Sequence, residues 1–184
     1  GTWMRRKKQW LALGIQSELG RDSNLIWAPV GDNPSDMVQR MRGVVEGTSV
    51  FDPVLVECAV RWYSAPGGTV LDPFAGGSVR GIVSSSLKRN YLGIDLRTEQ
   101  VEANKTQISL GDKDYPPLWL AGDSEKLLES VERDSVDLVF SCPPYFDLEV
   151  YSDDPDDLSN MDWEPFLTSY YEIIRKSAKA LKED

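Results

Sequence analysis

A chain of 184 residues with 41% hydrophobic residues suits one domain with one core, and excludes a disordered polymer. With no histidine and two cysteines, Cys58 and Cys142, it excludes Ser-His-Asp catalysis and a disulfide framework, and argues against a zinc site. The net charge of −10 is uneven: residues 1–111 carry 13 Lys/Arg against 11 Asp/Glu, a net of +2, and residues 112–184 carry 7 against 19, a net of −12. An acidic surface repels phosphate backbones, so a nucleic-acid partner would need a cationic surface such as Arg5–Lys8, which reads equally well as a solvated helix end.

In chain order, residues 3–19 are predicted to form a helix with a basic first turn. Trp10, Leu11, Leu13, Ile15 and Leu19 would be its apolar side. The opening GTWMRRKKQW lacks the long apolar stretch and cleavage site of a secretion signal, no later run is long enough for a membrane span, and a cytoplasmic protein is expected. Residues 20–50, rich in Gly, Asp, Asn, Pro and Ser, read as loop with a short helix near 34–42. Residues 1–50 are therefore an N-terminal helix and loop extension, and 51–184 an α/β region. Pro53 opens a helix to about Tyr63, with Val54, Leu55, Cys58, Ala59 and Trp62 at helical spacing, and Ala65-Pro66-Gly67-Gly68 breaks it.

A regular alternation follows. Strands are predicted at 69–74, 91–96, 118–122 and 136–141. Helices are predicted at 78–88, 98–109 and 124–132, and from Trp163 to Leu181. Strands separated by helices imply parallel pairing and right-handed crossovers. The expected fold is a Rossmann-like, doubly wound, mostly parallel sheet with ligands at the carboxyl ends of its strands. The run DDPDD at 153–157 reads as an exposed loop. Four strands and a closing helix leave an open sheet edge, so the α/β region is expected to be incomplete at its C-terminal side and part of a longer protein.

Four strand ends carry chemistry. TVLDPFAGGS at 69–78 reads as a strand, a glycine turn and a helix, an arrangement that suits a nucleotide-like ligand. It lacks a P-loop lysine, and no basic residue follows until Arg80, so a neutral or cationic centre fits better than a triphosphate. Asp95 ends the second strand, placed either to accept from ribose hydroxyls or to cap the following helix. Asp123, before Ser124, suits either an adenine amino group or a helix cap. Cys142-Pro143-Pro144-Tyr145 ends the fourth. Two prolines stop the ladder with carbonyls in fixed directions, and Tyr145 offers a rigid face for a flipped base. A nucleophilic role for Cys142 is disfavoured, since no histidine or nearby cation would activate it.

DPFAGG, the acid in GIDL, the acid in AGDS and CPPY resemble the motifs of S-adenosylmethionine-dependent amino-methyltransferases of DNA. The wider wording of residues 5–21, 51–83 and 140–159 is similar to prophage-type DNA modification methylases, as found in restriction-modification systems. The resemblance implies a methyltransferase fold, S-adenosylmethionine as cofactor and DNA as partner. It implies transfer to adenine N6 or cytosine N4, with target recognition largely outside this stretch. It implies Phe51 and Pro53 at the methionine end of the cofactor, and Asp72, Pro73, Phe74, Ala75, Gly76 and Gly77 beside it. Asp95 and Leu96 would meet the ribose, Asp123 and Ser124 the adenine, and Ser141, Cys142, Pro143, Pro144 and Tyr145 the target amine. Two positions depart from the pattern. Ser78 stands where the family's turn has its last glycine, and Cys142 stands where Asp, Asn or Ser begins the tetrapeptide, so Ser141 or the Pro143 carbonyl is expected to accept more of the hydrogen bonding. Rival functions on the same residues are amino-methylation of RNA or of a protein glutamine, and an inactive cofactor-binding subunit.

Overall fold

A computed structural model describes residues 1–17, 19–20, 51–146 and 151–183. The elements are α1 (Thr2–Leu11), α2 (Pro53–Tyr63), β1 (Thr69–Asp72), α3 (Val79–Ser86), β2 (Asn90–Asp95), α4 (Thr98–Lys105), β3 (Leu118–Ala121), α5 (Ser124–Leu127), β4 (Leu138–Val139) and α6 (Trp163–Ala180). The short helix expected near 34–42 lies outside the described residues.

All four strands pair in parallel in the order β3-β2-β1-β4. The chain moves outward from β1 to β3, then returns to place β4 on the other side of β1. The topological switch point therefore lies between β1 and β4, where this class of sheet opens a crevice at its carboxyl edge.

Strand alternation divides the apolar residues into two cores. Val70, Tyr91 and Leu138 face one side, packed with Trp10, Val56, Val60, Ile82, Val83 and Val101 from α1 to α4. Leu71, Ile94 and Val139 face the other, packed with Leu128, Leu158 and the α6 residues Phe166, Ile173 and Ala180. A sheet covered on both faces is the doubly wound arrangement expected. Each fully buried Val, Leu or Ile is worth roughly 1.5–3 kcal/mol relative to exposure.

The elements differ from expectation where tertiary contacts overrule local pattern. The helix predicted over 3–19 stops at Leu11, closed by bonds from Leu13 N–H to Trp10 O and Gly14 N–H to Leu11 O. Trp10 and Ile15 are buried, whereas Leu11, Leu13 and Leu19 are exposed. Residues 15–17 and 19–20 instead form a strap across the sheet's helices. The Gln107 amide accepts from Gln16 N–H at 2.8 Å and donates to its carbonyl at 2.9 Å. Gln100 donates to Leu19 O and Arg97 to Gly20 O. The helix expected over 98–109 breaks at Lys105 into a 3-10 turn at Ile108–Leu110, and that over 124–132 into α5 and a turn at Leu128–Ser130. The strand expected over 136–141 is reduced to Leu138–Val139, although Asp137 and Phe140 still donate to β1 carbonyls. Val136 on its outer side forms a parallel bridge with Leu181.

Helix α1 is fastened to α2 through Glu57. Arg6 donates to both of its oxygens at 2.6 and 2.9 Å, Trp10 Nε1 donates at 2.7 Å and Arg61 at 2.9 Å. Burial alone would raise the Glu57 carboxyl, but the Arg6, Trp10 and Arg61 hydrogen bonds outweigh it and bring it from 4.5 to about 2. Lys7 pairs with Asp52 at 3.1 Å. Two of the four cations in Arg5–Lys8 are therefore committed to partners within the fold.

Candidate active site

Beyond β1 the chain turns through Pro73–Ser78 into α3. Gly76 has φ 49°, a left-handed conformation that L side chains resist. Its N–H donates to Asp95 Oδ2 at 2.8 Å and its carbonyl accepts from Asn104 Nδ2 at 2.7 Å. Gly77 is required by contact: a Cβ there would lie 2.5 Å from the Ser17 carbonyl oxygen. Ser17 Oγ in turn accepts from Val79 N–H at 3.2 Å, so the strap supplies a cap for α3 from 62 residues upstream. Ser78 sits at φ −69° and ψ −14°, ordinary right-handed backbone, so serine in place of the family's glycine costs no strain here. Its buried hydroxyl has no partner among the described residues.

The three acids occupy different environments. Asp72 is fully buried. Its Oδ2 accepts from Arg80 Nε at 2.5 Å and Tyr91 Oη at 2.6 Å, and its Oδ1 accepts from Ser141 Oγ at 2.5 Å. Burial would lower the Arg80 guanidinium, but the Asp72 charge and hydrogen bond, together with Tyr91 and Cys142, outweigh it and raise it. Burial and then the Asp72 charge drive the Tyr91 hydroxyl well above its ordinary value. Asp95 opens on the cleft, with Oδ1 accepting from Arg97 N–H at 3.0 Å. Burial raises its carboxyl, opposed by the Arg97 and Gly76 amides. Asp123 does cap α5, accepting from Glu125 N–H at 2.8 Å, and is ion-paired with Lys126 at 3.1 Å while it faces the cleft.

On the far side of the switch point, β4 leaves the sheet through Ser141 to Tyr145. Phe140 meets Phe51 edge to face at 5.6 Å, and the Arg80 guanidinium lies 4.7 Å from the Phe51 ring centre. Cys142 Sγ lies 3.6 Å from Tyr145 Oη. Ser124 Oγ donates to the Pro73 carbonyl at 2.5 Å, tying the exit of β3 to that of β1.

These strand ends surround a cleft of about 450 Å³, within the size range of small-molecule sites. Of the residues singled out from sequence, Phe51, Pro73, Phe74, Gly76, Gly77, Asp95, Leu96, Asp123, Ser124, Cys142, Pro144 and Tyr145 line it. Pro53 is buried in the first turn of α2, Ala75 lies in the core, Asp72 and Ser141 bond each other behind the wall, and Pro143 is half-buried outside the lining. Sequence reasoning missed Ser17, and also missed Tyr151, Asp156, Asp157, Leu158 and Met161, which close another side together with Ser169 and Ile173 of α6. Every cation on the wall is engaged. Arg80 pairs with Asp72, Lys126 with Asp123 and Asp156, and Arg97 donates to the Gly20 carbonyl. That lining suits hydroxyl donors and a cationic or neutral ligand, and opposes a polyphosphate.

Residues 3–106 match the family of N6/N4 methyltransferases described as DNA methylase. The chain belongs to that family. The match spans α1, the glycine turn and Asp95, and ends before β3 and the Pro-Pro-Tyr exit. A 60-residue stretch is 38% identical to the Type II methyltransferase M.SmaI of Serratia marcescens, covering 33% of this chain and 20% of that protein. The chain thus spans about a fifth of the length of the curated relative it matches. Among solved structures, geranyl diphosphate methyltransferase in complex with GPP and sinefungin is 14% identical, with a TM-score of 0.50 over 96% of this chain and 57% of that one. That likeness supports the Rossmann-like methyltransferase fold. A SAM-dependent methyltransferase from Agrobacterium tumefaciens is 19% identical, with a TM-score of 0.47 over 69% of this chain and 42% of that one.

Proposed function

We propose that this chain is the cofactor-binding and catalytic part of an S-adenosylmethionine-dependent methyltransferase acting on an exocyclic amine of DNA, adenine N6 or cytosine N4. One observation carries the reading beyond family membership: the glycine turn after β1 and the Pro-Pro-Tyr exit of β4 open on the same cleft across the switch point. The cleft fits S-adenosylmethionine in size and charge, since Arg80 and Lys126 are already ion-paired, Arg97 is turned to the Gly20 carbonyl, and its acids sit at the ends of β2 and β3. When bound, this cofactor supplies an electrophilic methyl group.

The chain's own residues do the rest. Asp95 keeps lone pairs beyond those given to the Gly76 and Arg97 amides, and accepts from ribose hydroxyls. Asp123 accepts from the adenine amino group. Phe51 and Pro73 to Gly77 shape the wall beside them. The target amine donates to the Pro143 carbonyl, which has a fixed direction and draws the nitrogen lone pair out of conjugation. Cys142 adds a weak acceptor at most. Tyr145 supports the base by stacking, which allows a flipped base to be held without sequence-specific contacts. Positioning provides most of the rate.

The protein works in the cytoplasm of a bacterial or phage-infected cell, and target recognition lies largely outside this stretch. The pairing of Arg6 and Lys7 inside the fold supports that division, since it leaves α1 few cations for phosphates. The test is methyl transfer from labelled S-adenosylmethionine by the full-length protein to DNA, RNA and protein. Transfer to an amine of DNA is expected. Transfer only to RNA or a protein glutamine, or cofactor binding with no transfer at all, would replace the reading by that alternative.

A further inference from the structure

The β1–β4 ladder ends with Phe140 N–H donating to Leu71 O at 3.0 Å. Beyond it the two strand exits diverge, and Pro143 and Pro144 have no N–H with which to continue pairing. A side-chain unit takes over at that point. Ser141 Oγ donates to Asp72 Oδ1 at 2.5 Å and accepts from Phe74 N–H at 3.0 Å. Asp72 is gripped on its other oxygen by Arg80 and Tyr91. Arg80 Nη2 reaches on to the carbonyls of Phe74 at 2.6 Å and Ala75 at 2.9 Å. One buried network therefore holds the end of β1, the approach to the glycine turn and the exit of β4.

We infer that Ser141 is a positioning residue for methyl transfer, rather than an acceptor for the target amine. This inference rests on the functional reading above. The hydroxyl has one hydrogen and two lone pairs, and the network uses the hydrogen and one lone pair. Both bonds tie the hydroxyl to the β1 exit, and its hydrogen is committed to Asp72. Its effect is to fix the separation between Phe74–Gly77 on the cofactor side and Cys142–Tyr145 on the amine side. Transfer between two bound groups is sensitive to that separation: a displacement of about 1 Å costs on the order of a hundredfold in rate. The acceptor role then falls to the Pro143 carbonyl alone, with Cys142 as a minor contributor.

The experiment compares Ser141→Ala, Ser141→Thr and wild-type full-length protein. Methyl transfer to DNA gives kcat and KM, calorimetry gives the Kd of S-adenosylhomocysteine, and amide exchange by NMR reports on Phe74. In Ser141→Ala the Phe74 amide loses its 3.0 Å bond and keeps only the long 3.4 Å contact to Asp72 Oδ1, so it exchanges about tenfold faster. The Kd stays within about threefold, because Asp95 and Asp123 are untouched, and kcat falls by about ten- to a hundredfold. Ser141→Thr keeps the hydroxyl and restores kcat to within about threefold. An active wild type with an equally active Ser141→Ala overturns the positioning role and leaves the methyltransferase reading intact. A parallel loss of kcat, Kd and melting temperature, with no rescue by threonine, reduces Ser141 to a structural residue and also overturns it. A wild type that transfers no methyl group to DNA, RNA or protein overturns the functional reading and this inference with it.

Discussion

Asp95→Asn separates the structural task of this carboxylate from the ligand contact proposed for it. In the folded chain it accepts from Gly76 N–H at 2.8 Å and Arg97 N–H at 3.0 Å. Burial is the largest influence on its carboxyl and raises it, and the two amides and the Arg97 charge oppose this without cancelling it. A raised carboxyl means that the folded chain disfavours the charged form, so a neutral amide relieves that cost. Against this, asparagine accepts well from only one of the two amides and turns an NH₂ toward the other, a loss of roughly 1–3 kcal/mol. These effects oppose each other, and the melting temperature is expected to move by no more than about 5 °C. The ligand has no such compensation. A ribose hydroxyl that donates to a charged acceptor loses roughly 1.5–3 kcal/mol, which raises Kd about ten- to a hundredfold. Calorimetry with S-adenosylmethionine and S-adenosylhomocysteine reads the second effect and thermal melting the first. A folded Asp95→Asn protein with wild-type Kd would remove Asp95 from the ligand site. A collapse of melting temperature would show that the amides, rather than the buried charge, dominate its energetics.

Glu57→Gln should flatten stability at low pH. A carboxyl lowered from 4.5 to about 2 contributes stability above 4.5 that is lost as pH falls toward 2. The shift corresponds to roughly 3 kcal/mol, reduced to about 1–3 because Arg6 and Arg61 are 39% and 54% exposed. Urea unfolding between pH 2 and 5 should therefore show a steeper pH slope for wild type than for the variant, and equal slopes would refute the Glu57 anchor. Gly77→Ala places a methyl group against the Ser17 carbonyl and should cost about 1–3 kcal/mol while making residues 12–20 more open to proteolysis. An unchanged melting temperature and cleavage pattern would count against the strap contact. Cys142→Ser should keep or raise methyl transfer, since a hydroxyl accepts better than a thiol. Loss of activity, together with a trapped covalent adduct in the wild type, would overturn the non-covalent mechanism.

What could be read from sequence was whatever the physics writes locally. Val70 and Leu71, adjacent and both buried but in opposite cores, belong to a strand between two apolar layers. Proline at the start of α2 and aspartate before α5 mark helix starts through backbone chemistry that needs no partner elsewhere. The role of Asp72 could not be read this way. DPF reads alike whether the acid faces a ligand or the interior, and what decides is a cage of Arg80, Tyr91 and Ser141, the last 69 residues away. The end of α1 was equally hidden. Residues 12–19 have helical spacing, but the Gln107 amide binds the Gln16 backbone in a strand-like manner, and that contact prevails. The acidic run at 153–157 looked uniformly exposed. Yet Asp157 is buried, where it accepts from the Ser159 amide at 2.9 Å and from Ser152 Oγ at 2.7 Å.

The strap over the glycine turn also has a kinetic consequence. Its bonds close loops of 62 residues to Val79, 77 to Arg97, 81 to Gln100 and 91 to Gln107. Contacts of such separation carry a loop-closure entropy that local helices do not, and their formation waits on the sheet they cross. During synthesis, residues 15–20 emerge long before α4 exists to receive them. The turn can then take its final shape only after a segment made near the beginning has been held in reserve and returned.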